Sequence, residues 1–377
     1  MNKSDRKPVI GFTMGDPAGI GPEILMAGWS TLTSDEHYQY VVFGDVACLR
    51  RAASWNDQDV TVQPLDWPRE GFKELSAEAD PSSQHVMRVI PCGPSEAASA
   101  PLGQVSAVAG ESAFAYLETA IKATQTGTID AIVTAPLNKE SIRMAGKQFP
   151  GHTEILAERC GVQEFAMMLY IPEGQDVGGE MGTGVVHTTL HQSLRQALDE
   201  LSSEQILSKC KLAYQFANAC LQSQGLRRAP RIAVAALNPH AGENGLFGDE
   251  ETRIIAPAIA QARQLGIDCH GPLPCDTLMG RAVAGEFDMV VAMYHDQGHI
   301  ALKLLGMHKA VNVTLGLPII RTSVAHGTAF EIAGTGQADP TSLFRAIQVA
   351  KRLVHQSMIQ NQMADKNQMA GSQADGG

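Results

Sequence analysis

The stretch "DMVVAMYHDQGHIALK", residues 288–303, runs from apolar residues straight into histidine, aspartate, glycine, a second histidine and lysine. A strand that is apolar at nearly every position suits a parallel sheet buried on both faces, whereas a half-exposed strand would alternate. The change to polar chemistry at His295 then marks the carboxyl end of that strand, where open α/β sheets bind their ligands. Other short apolar or β-branched segments share this form: "VIGFT" (9–13), "YVVFG" (40–44), "DAIVTAP" (130–136), "TGVVHTTL" (183–190), "RIAVAAL" (231–237) and "AVNVTLG" (310–316). Between them, residues 112–125, 203–222, 249–266 and 342–356 have helical spacing. Strands fed by crossover helices predict an α/β fold around a mostly parallel sheet.

With 377 residues, the chain can form one large or two ordinary domains. Its 44% hydrophobic and 18% charged residues are those of an ordinary globular protein. A formal net charge of -11 argues against nucleic acid or an anionic membrane as the main partner. Any anionic ligand must then be held by a local basic cluster. Seven cysteines with no CxxC pair read as reduced thiols. The opening "MNKSDRKPVIGFTMGD" has too short an apolar run for a signal segment, and nothing approaches the ~18 apolar residues of a membrane span. A cytoplasmic location is expected. Residues 55–103 read as surface structure with a few irregular strands, and 358–377 as a disordered tail.

Polar residues gather where strands end. "FPGHTE" carries His152 and Thr153, "VVHTTLH" His187 and His191, "LNPHAGENG" His240, "YHDQ" His295 and Asp296, and the last strand region Asn312, Arg321 and His326. Six of the 12 histidines lie in these exits, and the clustering is the signal, since each alone reads equally well as a loop or core histidine. Neutral imidazoles from three separated loops can hold a divalent ion and leave positions open for substrate. His187 and His191 are four apart, and at a strand exit at most one is expected to be a ligand. "TMGDPAGIGPEI" (13–24) stands between strand and helix, but Gly15, Gly19 and Gly21 do not fit G-x-G-x-x-G. It reads better as a turn in which Pro22 starts a helix and Glu23 favours the positive end. "AGTGQADP" (333–340) is a second glycine turn; Gly334 and Gly336 are candidates to lie along a cofactor, or simply connect two helices.

Taken together, "GDPAGIGPEI", "APLNKE", "PGHTE", "LNPHAGENGLFGDEE", "GPLPCDTL", "YHDQGH", "VNVTLGLPIIRTS" and "HGTAFEIAGTG" resemble the PdxA family, over about residues 8 to 355. Its members are 4-hydroxythreonine-4-phosphate dehydrogenases, with a sister branch acting on 4-phospho-D-threonate and 4-phospho-D-erythronate. The resemblance implies a fold like that of isocitrate and isopropylmalate dehydrogenases, with two α/β subdomains flanking a cleft. The expected division is an outer unit of 1–130 plus 309–357 and an inner, dimer-forming unit of 131–308. It implies a homodimer sharing its active site, and NAD or NADP bound without a classical dinucleotide fingerprint. It also implies one divalent ion (zinc, magnesium or cobalt) on His191, His240 and His295, with His187 the alternative to His191. Substrate contacts carry over to His152, Thr153, Lys303, Asn312 and Arg321.

These assignments imply oxidation of the C3 hydroxyl of a small 4-phosphorylated acid of the 4-phosphohydroxy-L-threonine type, followed by decarboxylation of the 3-keto product. The sister substrate, 4-phospho-D-threonate or D-erythronate, is the alternative. Arg321 and Lys303 would grip anionic groups, the first by a two-pronged fit and the second as a point charge. Asp296 and Asp276 are candidates for proton transfer or for orienting a histidine. The link "PEGQDVGGEMGTGVVHTTLH" is longer and more glycine-rich than the family's, and the C-terminal tail runs past the family's end. A competing class is a non-redox metal-dependent hydrolase or lyase, or an inactive binding relative.

Overall fold

The computed structural model describes residues 6–56, 59–66, 85–174, 177–306 and 309–374, with side chains as far as residue 359. The first half of the chain forms β1 (Val9–Thr13), α1 (Gly21–Leu32), β2 (Gln39–Gly44), α2 (Val46–Asn56), β3 (Thr61–Pro64), β4 (Val86–Pro91), α3 (Ala107–Gln125), β5 (Ala131–Thr134), α4 (Lys139–Met144), α5 (His152–Cys160), β6 (Ala166–Ile171) and β7 (Thr183–His187). The second half forms α6 (Leu194–Glu200), α7 (Ser203–Ser223), β8 (Arg231–Ala235), α8 (Ala256–Gln264), β9 (Asp268–Leu273), α9 (Cys275–Val283), β10 (Met289–Ala292), α10 (His295–Gly306), β11 (Val311–Leu315), β12 (Ile320–Val324) and α11 (Thr341–Ala374).

All twelve strands join one sheet in the order β3-β4-β2-β1-β5-β12-β11-β6-β7-β10-β8-β9. Neighbours are parallel except around β11 and β6: β11 runs antiparallel to both β12 and β6, and β6 to β7. The predicted α/β fold and all seven expected strands are present. Full burial of β1, β5, β6, β7 and β10 explains their unbroken apolar runs. Helix starts follow local chemistry. The Ser106 side chain accepts from Ala109 N at the head of α3, and Ser202 with Gln205 forms a capping box on α7.

The structure differs from expectation in three places. Within 55–103, β3 and β4 are regular strands at the sheet edge, with Met87 and Val89 fully buried; residues 57–58 and 67–84 lie outside the described residues. β6, β9 and β12 also escaped the sequence reading. Met-rich "AMMLYI" does not distinguish helix from strand, and "IRTSV" has the polarity of a loop. Finally, α11 continues through residues 358–374, which were expected to be a disordered tail. Its Gln, Met, Ala and Lys are good helix formers even without an apolar stripe. Among the described residues no helix is long and apolar enough to cross a membrane.

β5 opens the expected inner unit, yet it pairs with β1 and β12, and β11 and β12 return to fill the middle of the sheet. β7 and β10 run parallel and end side by side, while β5 and β12 run in the opposite direction across the antiparallel β11 and β6.

Candidate active site

Two strand exits are tied together first. Thr188 N donates to Ala292 O (2.8 Å) and Thr189 Oγ1 to Met293 O (3.0 Å), so the chain leaving β7 is held against the chain leaving β10. His191 and His295 consequently face each other, ring centroids 5.7 Å apart. They line a cavity of about 500 Å³ with Thr189, Tyr294 and Asp296, within the range of small-molecule sites.

Each imidazole has a carboxylate on Nδ1. His191 Nδ1 lies 3.2 Å from Glu154 Oε1, and His295 Nδ1 lies 2.7 Å from Asp296 Oδ1. An ionised carboxylate only accepts, so both Nδ1 atoms donate and both Nε2 lone pairs are left for another partner. Such carboxylate-bound imidazoles are the usual form of metal-ligating histidine. Burial alone would raise Glu154, but the bond from His191, its own backbone amide and the nearby charges of His191 and Lys139 bring it below the ordinary range. His191 and His295 therefore have the chemistry to hold a divalent ion through Nε2, with Asp296 bonded to the His295 ring.

His240 is not part of this pair. Among the described residues no group of three or more His, Cys, Asp and Glu side chains is arranged to hold a metal within one chain. His240 is exposed, with Nδ1 3.6 Å from Glu243 Oε1, and opens six consecutive residues of positive φ, from 53° at His240 to 96° at Gly245. Left-handed backbone costs roughly 1–2 kcal/mol for each residue with a Cβ, so this loop is strained. Buried Glu251 anchors its base, accepting from the amides of Leu237 (2.9 Å) and Asn238 (2.7 Å) and from Asn238 Nδ2 (3.0 Å). The sequence reading gave Glu251 no role, and its acidic cluster "DEE" read only as a helix start.

The second group surrounds Arg321, which is 2% exposed. Its Nη1 donates to Thr314 Oγ1 (3.0 Å) and at 3.5 Å to Asn312 Oδ1, and its Nη2 to Thr134 Oγ1 (2.7 Å); Nε has no partner. Burial lowers its pKa to about 9, against the pull of the Glu154 charge, and leaves it cationic at neutral pH. A buried guanidinium held by hydroxyls and an amide, with no carboxylate among the described residues bonded to it, is poised for an anion. Burial, with the charges of Arg321 and Lys139, pushes His152 well below the usual histidine range, so it meets a ligand uncharged. His152 and buried Thr153 open α5, the helix that also carries Glu154, which joins this group to His191. Lys139, quoted in "APLNKE" but given no role, lies beside them: a Cβ on Gly151 would stand 3.7 Å from Lys139 Cε and 3.9 Å from His191 Cε1.

Other candidates stand apart. Lys303 is on the exposed face of α10, and no hydrogen bond or ion pair among the described residues joins it to the Arg321 group. Asp276 is exposed in the first turn of α9, where its charge favours the positive helix end, and no hydrogen bond ties it to the histidines. Gly334 N and Gly336 N both donate to the carboxylate of fully buried Glu23, at 2.5 and 2.9 Å, so neither amide is free for a cofactor phosphate. His187 is wholly buried at the end of β7, with Nδ1 3.1 Å from Met167 O, and does not enter the cavity of His191. Burial takes its pKa down to about 4 and that of His299 to about 2.

The loop after β1 also resolves. A Cβ on Gly15, at φ 73°, would stand 2.3 Å from Pro136 O, so the loop is pressed onto the end of β5. Asp16 is fully buried there, and its Oδ1 accepts from Ala18 N (2.9 Å). Burial raises its pKa to about 6, against the hydrogen bonds from Ala18 and Ser141. A raised carboxyl contributes stability that is present below the unfolded value near 4 and lost as pH rises through about 6. Asp16→Asn is therefore expected to raise thermal stability at pH 7–8, by about 2–3 kcal/mol from the shift alone, and not at pH 4. Melting curves at the two pH values check this, and equal shifts at both would contradict it.

Comparison with known proteins shows what the chain is similar to. Residues 36–350 match the family model described as pyridoxal phosphate biosynthetic protein PdxA. A D-threonate 4-phosphate dehydrogenase of Cupriavidus necator is 44% identical over 352 residues, 93% of this chain and 98% of its own. A 4-hydroxythreonine-4-phosphate dehydrogenase of Beijerinckia indica is 44% identical over 344 residues, 91% and 94% of the two chains. The crystal structure of 4-hydroxythreonine-4-phosphate dehydrogenase from Klebsiella pneumoniae superposes with a TM-score of 0.75 at 43% identity, covering 92% of this chain and 99% of that one. The chain belongs to the PdxA family.

Proposed function

We propose that this member of a dehydrogenase family oxidises the C3 hydroxyl of a small 4-phosphorylated hydroxy acid, passing hydride to NAD or NADP in a site shared between two copies of the chain. Relatives named for 4-hydroxythreonine 4-phosphate and for D-threonate 4-phosphate stand at the same 44% identity, so the common substrate class is the reading. The observation that carries it is the juxtaposition of a carboxylate-oriented histidine pair with a buried arginine that lacks a carboxylate partner. Arg321 supplies fixed positive charge for an anionic group, and Asn312, Thr153 and neutral His152 fix the orientation of the rest. A divalent ion held through His191 and His295 would supply Lewis-acid polarisation of the substrate oxygens. A nicotinamide dinucleotide, when bound, would supply the acceptor for the hydride of C3, with the hydroxyl proton released and a 3-keto acid of the kind that loses carbon dioxide left as product.

Sharing between subunits accounts for His240. Within one chain it stands outside the histidine pair, on a strained loop. Exposed Leu246 and Phe247 follow it, Leu194 and Leu198 mark α6, and Ile300 and Leu304 mark α10. Apolar side chains this exposed, on elements flanking the site, are suited to cover by a second copy. The outer and inner division and the place of Lys303 in the substrate pocket belong to the same proposal, Lys303 reaching substrate once the site is complete.

The deciding experiment follows nicotinamide reduction with 4-phosphohydroxy-L-threonine and with 4-phospho-D-threonate, with and without a chelator. Reduction of NAD or NADP with at least one acid, abolished by the chelator and restored by a divalent metal, is expected. Absence of reduction with both, or hydrolysis without any change in absorbance, overturns the reading in favour of non-redox chemistry.

A further inference from the structure

Beneath His295 lies a pair of histidines that the proposed chemistry leaves unused. Met167 O, in β6, can only accept, so His187 Nδ1, 3.1 Å away, carries a proton. His187 Nε2 in the neutral ring is then an acceptor, and His299 Nδ1, 3.0 Å from it, must donate. One carbonyl thus fixes the proton positions of two rings in series. His299 follows His295 by one helical turn, and their rings lie almost parallel, centroids 3.8 Å apart at 14°. The backbone enforces this stack. A Cβ on Gly298 would lie 2.5 Å from Val185 Cγ1 and 2.8 Å from His187 Nε2, so α10 sits on β7 at a distance only glycine permits. Gln297 fastens the same turn from the other side, accepting from Met293 N and donating to Ala236 O, both at 2.7 Å.

We propose that His187 and His299 are positioning residues that set the plane and depth at which His295 presents Nε2 to a metal ion. The proposal rests on the reading of His295 as a ligand. Asp296 grips one edge of that ring from an exposed position, whereas the buried pair supports its face. Without a flat partner below, the ring is free to tip, and supporting groups of this kind are worth about 10–100-fold in metal affinity.

The test measures cobalt(II) binding to the purified full-length chain, by calorimetry and by the visible absorption of the bound ion. His299→Leu and His187→Leu are each expected to weaken binding by about 10–100-fold and alter the absorption band. Phenylalanine keeps a flat ring, and glutamine can donate to Met167 O while accepting from His299. His299→Phe and His187→Gln are therefore expected to stay within about threefold of wild type, a rescue that general loss of packing would not give. Unchanged affinity in both leucine variants overturns the proposal. Should these fail to fold, nitrogen-15 spectra of histidine-labelled wild-type protein decide: both rings must be protonated on Nδ1, and Nε2–H on either overturns it. His295→Ala separates the two levels. If it still binds cobalt normally, the ligand reading itself has failed; if it alone loses binding, only the positioning role is lost.

Discussion

Chains carrying His240→Ala and chains carrying His295→Ala are expected to be inactive alone, yet to regain about a quarter of wild-type turnover when co-expressed in equal amounts. The reasoning is geometric. His191 and His295 converge within one chain, whereas His240 does not join them. If a second copy supplies His240, each mixed dimer contains one site with all three histidines and one lacking two. Half of the dimers are mixed, and half of their sites are intact. A site built within one chain would give no recovery, because every site would carry a defect. Differently tagged chains give the measurement by nicotinamide reduction: the unselected mixture is expected to show the quarter, and dimers purified through both tags, all of them mixed, about half of wild-type turnover. Activity of His240→Ala alone would remove this residue from the ligand set.

Arg321→Met should separate activity from stability. Removing a buried cation from its anionic ligand costs about 2–5 kcal/mol, or roughly 30- to 5,000-fold in kcat/KM. The free protein bears the opposite burden, since it keeps a charge 2% exposed with Nε unbonded and no carboxylate in hydrogen-bond contact. Replacing such a group by a well-packed apolar one is often neutral or stabilising. The melting temperature is expected to hold or rise while activity falls. Arg321→Lys is expected to recover little, because an ammonium lacks the planar fork that Thr134 and Thr314 hold in place. Activity within threefold of wild type in the methionine variant would dismiss Arg321 as the anion holder.

The sheet was legible in the sequence wherever burial on both faces produced an unbroken apolar run, as at residues 288–294 and 231–237. It was not legible at β12, where Arg321, Thr322 and Ser323 give a buried strand the polarity of a loop, the two hydroxyls being spent on backbone carbonyls. The strand exits brought His152, His187, His191, His295 and Arg321 forward as candidates, and only the family resemblance preferred His191 to His187. Their mutual support could not be read there. Glu154 and His191 are 37 residues apart, Arg321 and Thr134 187 apart, and His299 and His187 112 apart. Spacing along the chain carries no trace of such contacts, which arise only after the sheet order is set. Gly334 and Gly336 illustrate the converse: the glycine pattern suggested a ligand turn, and a carboxylate 311 residues earlier in the chain occupies its amides.

The antiparallel seam has its own consequence for how the molecule can be divided. β11 and β12 are laid down last among the strands but stand at the centre of the sheet, between β5 and β6. A nascent polypeptide ending before residue 311 has two naked strand edges in its interior, each hungry for a neighbour. Synthesis must therefore run nearly to completion before either half is sealed, and cutting the gene between the halves yields sticky fragments, not miniature enzymes.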